Sequence, residues 1–257
     1  MNNPPAGSRP PRGVVLDTDG VLLDSAVVHA AAWKTAFDAC LAELTPRAGE
    51  WVPFDADAEY RRFVDGRSRY DGAEAFLTTR GIRLPPGKPD DPPGCHTVWA
   101  VAARKEAAFR EALATESVSA FADAEEALVT LRRLRVPCAA VSASRHARAL
   151  LGAAGLDASL AAVVDGEDAA RRGLAGKPDP ALFLHAAGLM GIHPGECAVV
   201  EDALAGVRAA RRGAFGLVVA VDRTPDEHGT TALRQQGADL VVHDLVTLVR
   251  NVWGEYP

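Results

Sequence analysis

The sequence predicts an α/β fold, a doubly wound parallel sheet into which a mainly α-helical domain is inserted. Three observations predict it. Short apolar runs without polar alternation recur at Val14–Leu16, Cys138–Val141, Ala162–Val164, Cys197–Val200, Leu217–Val221 and Leu240–Val242, as expected of parallel strands covered on both faces. Helical patterns separate them. Between about Leu23 and Val136 no strand candidate occurs, and proline, glycine and charge punctuate helical pieces instead, which marks a separate domain.

In chain order, Met1–Arg12 is rich in Pro and Gly and reads as a disordered tail. The first strand, Val14–Leu16, runs into Asp17-Thr18-Asp19-Gly20. An extended backbone sends Asp17 and Asp19 to one side and Thr18 to the other. Like charges held so close need a cation or a shared proton, so the pair suggests a Mg²⁺ site, an acid/base pair or both, against the plainer reading of an Asp-rich turn. Ser25–Leu44 carries Trp33, Phe37 and Leu41 at helical spacing, with His29 four residues before Trp33. Short helices are expected at Asp57–Val64 and Gly72–Arg80, an irregular connection at Pro85–Pro93, and a longer helix at Val98–Leu113.

The second half alternates strand and helix, with helices expected at Ala122–Leu134, Arg145–Leu151, Pro180–Ala187, Ala203–Arg211 and Leu245–Val252. Domain boundaries follow: residues 1–12 tail, 13–26 with 117–257 a Rossmann-like core, and 27–116 helical. In such a sheet a ligand lies beyond the carboxyl ends of the strands. The Cys138 strand ends in Ser142-Ala143-Ser144 ahead of a helix, a ready phosphate cradle. The Cys197 strand ends in Glu201-Asp202, and Gly176-Lys177-Pro178 holds a lysine on a turn between them. Taken singly, Glu-Asp also serves as a helix cap and Gly-Lys-Pro as a surface turn. Their arrival in order, each beside a predicted strand end, favours carboxylates for Mg²⁺ with Lys177 and Ser142 for phosphate oxygens.

Bulk properties exclude other classes. A net charge of −6 gives no electrostatic basis for binding nucleic acid or an anionic membrane, and no apolar segment approaches the roughly 20 residues that span a bilayer. Cys40, Cys95, Cys138 and Cys197 form no C-x-x-C pair and read as reduced thiols of a cytoplasmic protein.

With these residues in place, the sequence resembles the haloacid dehalogenase-like superfamily: Asp17-Thr18-Asp19-Gly20, Ser142, Lys177 and Glu201-Asp202 match its four motifs, and the helical insert resembles its cap domain. Within it, the stretch from Asp17 through Asp24-Ser25, then His29, Trp33, Gly66-Arg67-Ser68-Arg69, Arg104-Lys105 and Val141-Ser142-Ala143-Ser144, is similar to the β-phosphoglucomutase subfamily. The resemblance implies that Asp17 attacks phosphorus and Asp19 acts as acid and base, while Ser142 and Lys177 hold the transferring group. It places Mg²⁺ on Asp17, the Asp19 carbonyl, Asp202 and Glu201. It assigns Ser25, His29, Arg69, Lys105, Ala143 and Ser144 to the substrate, a small phosphorylated sugar, with Arg69 and Ser144 serving a second phosphate. A monomeric phosphosugar mutase is the expectation, with a sugar-phosphate phosphatase as the alternative. Thr18, Asp65, His146 and Glu106 depart from the subfamily's usual residues.

Overall fold

The computed structural model describes residues 9–44, 51–115, 117–223 and 227–254. The chain separates into two compact units, one formed by the segments up to Asp24 and from Ser119 onward, the other by Ser25–Val118.

The first unit is built on six parallel strands: β1 Gly13–Asp17, β2 Cys138–Val141, β3 Ala162–Val164, β4 Cys197–Glu201, β5 Leu217–Val221 and β6 Leu240–Val242. Their order is β3-β2-β1-β4-β5-β6. Successive strands leave β1 first to one side and then to the other, so right-handed crossovers place the connecting helices on opposite faces. Each inner strand is buried along its whole length, which is why the sequence runs apolar without alternation. Val15, Ala139, Val141, Val199, Val218 and Ala220 line one face of the core with Leu182, Phe183, Ala186, Val207 and Ala210. Those side chains come from helices Ala181–Leu189 and Leu204–Arg212. Register brings the strand tips level: Asp17 pairs with Val141, and Leu16 with Val200, one residue before Glu201.

Two helices of this unit, Gly166–Arg172 and Glu227–Gln235, lie where no helix is expected from apolar periodicity. Gly166–Arg172 is short and polar, so it shows no apolar stripe. It starts on a reciprocal cap between Asp165 and Asp168 and stops at Gly173, φ 65°, local signals independent of hydrophobic pattern. Residues 1–8 of the expected tail lie outside the described residues. Pro11 and Arg12 are bonded to the core: Trp253 Nε1 donates to the Pro11 carbonyl at 3.1 Å, and the Arg12 N–H donates to the Glu196 carbonyl at 2.7 Å.

The second unit holds helices Ala26–Leu44, Arg69–Thr79 and Val98–Leu113, with no strand among its described residues. The piece expected as a helix at Asp57–Val64 is a π-helical turn over Tyr60–Val64. An aromatic cluster fills the unit, with ring centroids 4.7 Å apart for Trp33–Phe37, 4.2 Å for Phe37–Phe76 and 4.9 Å for Phe54–Phe76. Phe54 enters it from an irregular segment whose N–H donates to Asp38 Oδ1 at 2.7 Å and whose carbonyl accepts from Lys34 Nζ at 2.9 Å. The Pro85–Pro93 connection lends the carbonyls of Pro85 and Pro86 to the N–H groups of Val98 and Trp99, satisfying donors that a helix start leaves open.

The reading of four reduced thiols needs correction. Cys40 and Cys95 form a disulfide with Cα atoms 5.3 Å apart, and only Cys138 and Cys197 are free. Helix packing brings the pair together across 55 residues of sequence, a separation that carries no local signal. Burial pushes the Cys138 thiol up to about 12. Burial, helped by Glu196, raises Cys197 to about 11. Both free thiols are therefore expected to resist thiol reagents at pH 8 in the folded protein. Unfolding without reductant should release two titratable thiols and unfolding with reductant four. Reduction should lower stability by about 2–4 kcal/mol, read by urea denaturation.

Candidate active site

The ends of β1, β2 and β4 and the turn between helices Gly166–Arg172 and Ala181–Leu189 meet near the β1/β4 junction, where the strand order reverses. Asp17 ends β1 and Glu201 ends β4, both buried, and Lys177 lies buried between them in ion pairs to Asp17 Oδ1 and Glu201 Oε1. The turn carrying Lys177 leads into the helix Ala181–Leu189, which packs on β1, β2 and β3. The other Glu201 oxygen accepts the Ala203 N–H at 2.7 Å. Glu201 therefore pairs with the lysine while holding the chain just ahead of the helix Leu204–Arg212, whose start carries no side-chain cap, so the plainer reading of Glu-Asp as a helix cap does not hold. Room for it comes from Gly206: a Cβ there would stand 1.7 Å from Glu201 Oε1.

Thr18 points away from the two aspartates, and its hydroxyl donates to the Val141 carbonyl at 3.0 Å. Beyond it the chain turns back, the Leu22 and Leu23 N–H groups donating to the Thr18 carbonyl at 3.0 and 2.8 Å. Gly20 takes φ 78° in this turn, and a Cβ there would lie 1.8 Å from Asp202 Oδ2, so glycine is demanded by both conformation and space. Ser142 Oγ donates to Asp19 Oδ2 at 2.9 Å and accepts the Ser144 N–H at 3.0 Å. Ala143 lies between them, its carbonyl so near that a Cβ on Gly166 would meet it at 2.6 Å. Asp17, Asp19, Ser142, Ala143, Ser144, Glu201 and Asp202 therefore all lie in this unit at neighbouring strand ends, and Lys177, expected beside a strand end, reaches them from a turn between two helices.

The charge balance is uneven. Burial alone would lower the Lys177 pKa, but Asp17 and Glu201 more than offset it and hold the ammonium well above its ordinary value. Burial pushes Asp17 up; Lys177 opposes this, while Glu201 and Asp19 add to it. Asp17, Glu201 and Asp202 each offer a carboxylate oxygen within 4.8 Å of the others. Three carboxylates around one ammonium leave negative charge in a desolvated place, and hard oxygen donors in excess fit a divalent cation such as Mg²⁺.

In the second unit Ser25 opens the Ala26–Leu44 helix, its carbonyl accepting the His29 N–H at 3.0 Å. His29 Nδ1 and Lys105 Nζ are 2.9 Å apart. An ammonium only donates, so Nδ1 accepts and the neutral imidazole carries its proton on Nε2. The His29 ring stacks on Phe109 at 4.0 Å, and Lys105 Nζ sits 4.4 Å from the same ring. Arg69, the first residue of its helix, pairs with Glu106 at 3.3 Å and lies 5.6 Å from the Trp99 ring. Sequence reasoning missed Gly206; its only signal was a glycine inside a helical pattern.

A family model described as haloacid dehalogenase-like hydrolase matches residues 11–213. The chain belongs to that family. It is accordingly an enzyme of phosphoryl chemistry, a phosphohydrolase or phosphomutase. It is 42% identical over 239 residues to a β-phosphoglucomutase of Mycobacterium bovis, covering 93% of this chain and 91% of that protein. A shorter stretch of 60 residues is 50% identical to a trehalose-phosphate phosphatase of the same species, covering 23% of this chain and 15% of that protein. Among solved structures, a HAD family hydrolase from Deinococcus radiodurans with bound phosphate and sodium superposes with TM-score 0.63 at 29% identity, covering 95% of each chain. No helix among the described residues is long and apolar enough to cross a membrane.

Removing the ammonium exposes the imbalance. Lys177→Met should cost about 3–5 kcal/mol at pH 7 in the presence of a chelator, because buried carboxylates lose their partner. The deficit should shrink as pH falls, since burial raises the Asp17 carboxyl above its ordinary value and its protonated form needs no counter-charge. Urea denaturation of both proteins between about pH 5 and pH 8, where folded proteins are commonly most stable, checks it.

Proposed function

We propose that this protein is a Mg²⁺-dependent phosphosugar mutase of the β-phosphoglucomutase type, converting β-D-glucose 1-phosphate to glucose 6-phosphate. The observation that carries the reading is the buried Lys177 between Asp17 and Glu201 at the sheet's switch point, in a chain similar along nearly its whole length to a β-phosphoglucomutase. The phosphate bound by the Deinococcus radiodurans relative lends the same fold a phosphoryl ligand.

In the proposed reaction an Asp17 oxygen attacks phosphorus in line, the P–O bond to the sugar breaks, and Asp19 gives its proton to the departing oxygen. Asp19 then takes the proton of the acceptor hydroxyl, which attacks the aspartyl-phosphate and regenerates Asp17. Ser142 and Lys177 hold the oxygens of the group in transit, where negative charge is spread. Asp17, Glu201, Asp202 and the Asp19 carbonyl would hold Mg²⁺, which supplies further neutralisation of that charge. A mutase passes through a sugar bisphosphate and needs a second phosphate site, for which the resemblance to the β-phosphoglucomutase subfamily implies Arg69 and Ser144. Ser25, His29, Lys105 and Ala143 are assigned to the remainder of the sugar phosphate. A monomer goes with this reading; a cytoplasmic location goes with it too only with the Cys40–Cys95 bridge kept closed against a reducing compartment.

A sugar-phosphate phosphatase, with water replacing the acceptor hydroxyl, is the second reading, favoured by the local match to trehalose-phosphate phosphatase. One assay separates them: β-glucose 1-phosphate is supplied with Mg²⁺ and a trace of glucose 1,6-bisphosphate. Glucose 6-phosphate formed without matching inorganic phosphate is expected, and stoichiometric phosphate release would establish the phosphatase. Asp17→Asn should lower kcat by about four orders of magnitude, as loss of a nucleophile does, and a chelator should abolish turnover until Mg²⁺ is restored.

A further inference from the structure

We propose that Arg223 is a positioning residue, fixing the turn that presents Asp19 and keeps Gly20 against Asp202. The inference rests on the reading of Asp19 as acid and base. Arg223 follows β5, two residues beyond Val221, and none of the family motifs named above includes it. Its Nε donates to the Gly20 carbonyl and its Nη2 to the Val21 carbonyl, each at 2.9 Å. Nη1 donates to Asp123 Oδ1 at 3.0 Å, and the guanidinium carbon lies 3.6 Å from the Phe121 ring centroid. Asp123 is itself anchored, its other oxygen accepting the Leu245 N–H at 2.8 Å at the start of the last helix.

The arrangement uses the planar fork of arginine. Two successive peptide carbonyls and a carboxylate are met by one rigid group stacked on a ring, which a lysine with one nitrogen cannot reproduce. The turn's own bonds run inward: Leu22 and Leu23 to Thr18, and Gly20 N–H to the Leu23 carbonyl at 2.9 Å. They leave the Gly20 and Val21 carbonyls to an outside donor. A purely stabilising stitch would explain these contacts if the turn were free to shift. It is not free, because the Gly20 Cα already abuts the Asp202 carboxylate while Asp19 is bonded to Ser142. Any displacement of the Gly20 peptide is therefore transmitted to Asp19 on one side and Asp202 on the other.

Arg223→Met, which keeps apolar cover on Phe121, and Arg223→Lys test this. Two readouts are taken. Amide hydrogen exchange across Thr18–Leu23 should quicken about tenfold in Arg223→Met while the sheet strands stay protected. In steady-state kinetics kcat should fall about 10–100-fold, the scale of an ångström-sized misplacement. KM for the sugar phosphate should stay within about threefold, and the half-saturating Mg²⁺ concentration should rise. Arg223→Lys should recover only part of kcat. Asp123→Asn, which keeps an acceptor for Leu245 and weakens only the ion pair, should move kcat in the same direction by a few-fold and serves if Arg223→Met does not fold. Exchange unchanged in Arg223→Met, or kcat within about twofold of wild type in it or, failing that, in Asp123→Asn, overturns the proposal. If the wild-type protein turns over no phosphomonoester, the proposed reaction has failed, and the exchange result alone then decides whether Arg223 holds the turn.

Discussion

A single ammonium group buried between two carboxylates sets the terms for the rest of the core. Lys177 would be costly at that depth without Asp17 and Glu201, and either carboxylate would be costly without it. The pairing requires that β1 and β4 end level and that the lysine turn arrive between them. The strand order achieves this by making β1 and β4 neighbours at the point where the sheet changes direction. Gly206 then has to lack a side chain, because Glu201 lies where one would be. One ion pair thus reaches outward to sheet topology and to a glycine within a helix.

The pairing also leaves a surplus that gives the site its chemistry. Asp202 adds a third carboxylate within 4.8 Å of the other two, one more than the two that Lys177 pairs with. A surplus of oxygen donors beside an ammonium and a hydroxyl suits a divalent cation and a phosphoryl group together better than either alone. On the proposed reading the cation would satisfy the carboxylates, and the phosphoryl oxygens would meet Lys177 and Ser142.

The sheet and the carboxylate and serine positions were legible in the sequence because the inner strands are buried along their whole length and end abruptly in polar residues, while the lysine was marked by its Gly-Lys-Pro turn. Apolar runs locate such strands, and their last residues name the site. What stayed hidden was fixed by distance or by local geometry. The Cys40–Cys95 bridge depends on helix packing across 55 residues. The helix at Gly166–Arg172 depends on a reciprocal cap rather than an apolar stripe. Arg223 depends on two backbone carbonyls about 200 residues earlier, which no spacing rule connects. The irregular segments of the helical unit carry no periodic signal in sequence; one delivers Phe54 into the aromatic cluster and the other satisfies the first N–H groups of the Val98–Leu113 helix.

On the proposed reading the core serves a hydroxyl or a water acceptor equally well, since either would accept phosphorus from the same aspartate and give its proton to the same neighbour. Choice of acceptor therefore belongs to groups that hold the substrate away from the reacting phosphorus. In the helical unit two cationic side chains are each engaged in advance, Arg69 by Glu106 and Lys105 by His29. On the proposed reading, a phosphate reaching Arg69 competes with Glu106 for a guanidinium already oriented by an aromatic face. A dianion bidentate on arginine outcompetes a single partly exposed carboxylate, whereas a neutral hydroxyl in the same place does not. A ligand carrying two phosphates then gains more from Arg69 than one carrying a single phosphate, which is the preference that a bisphosphate intermediate needs in order to turn around rather than be lost to water.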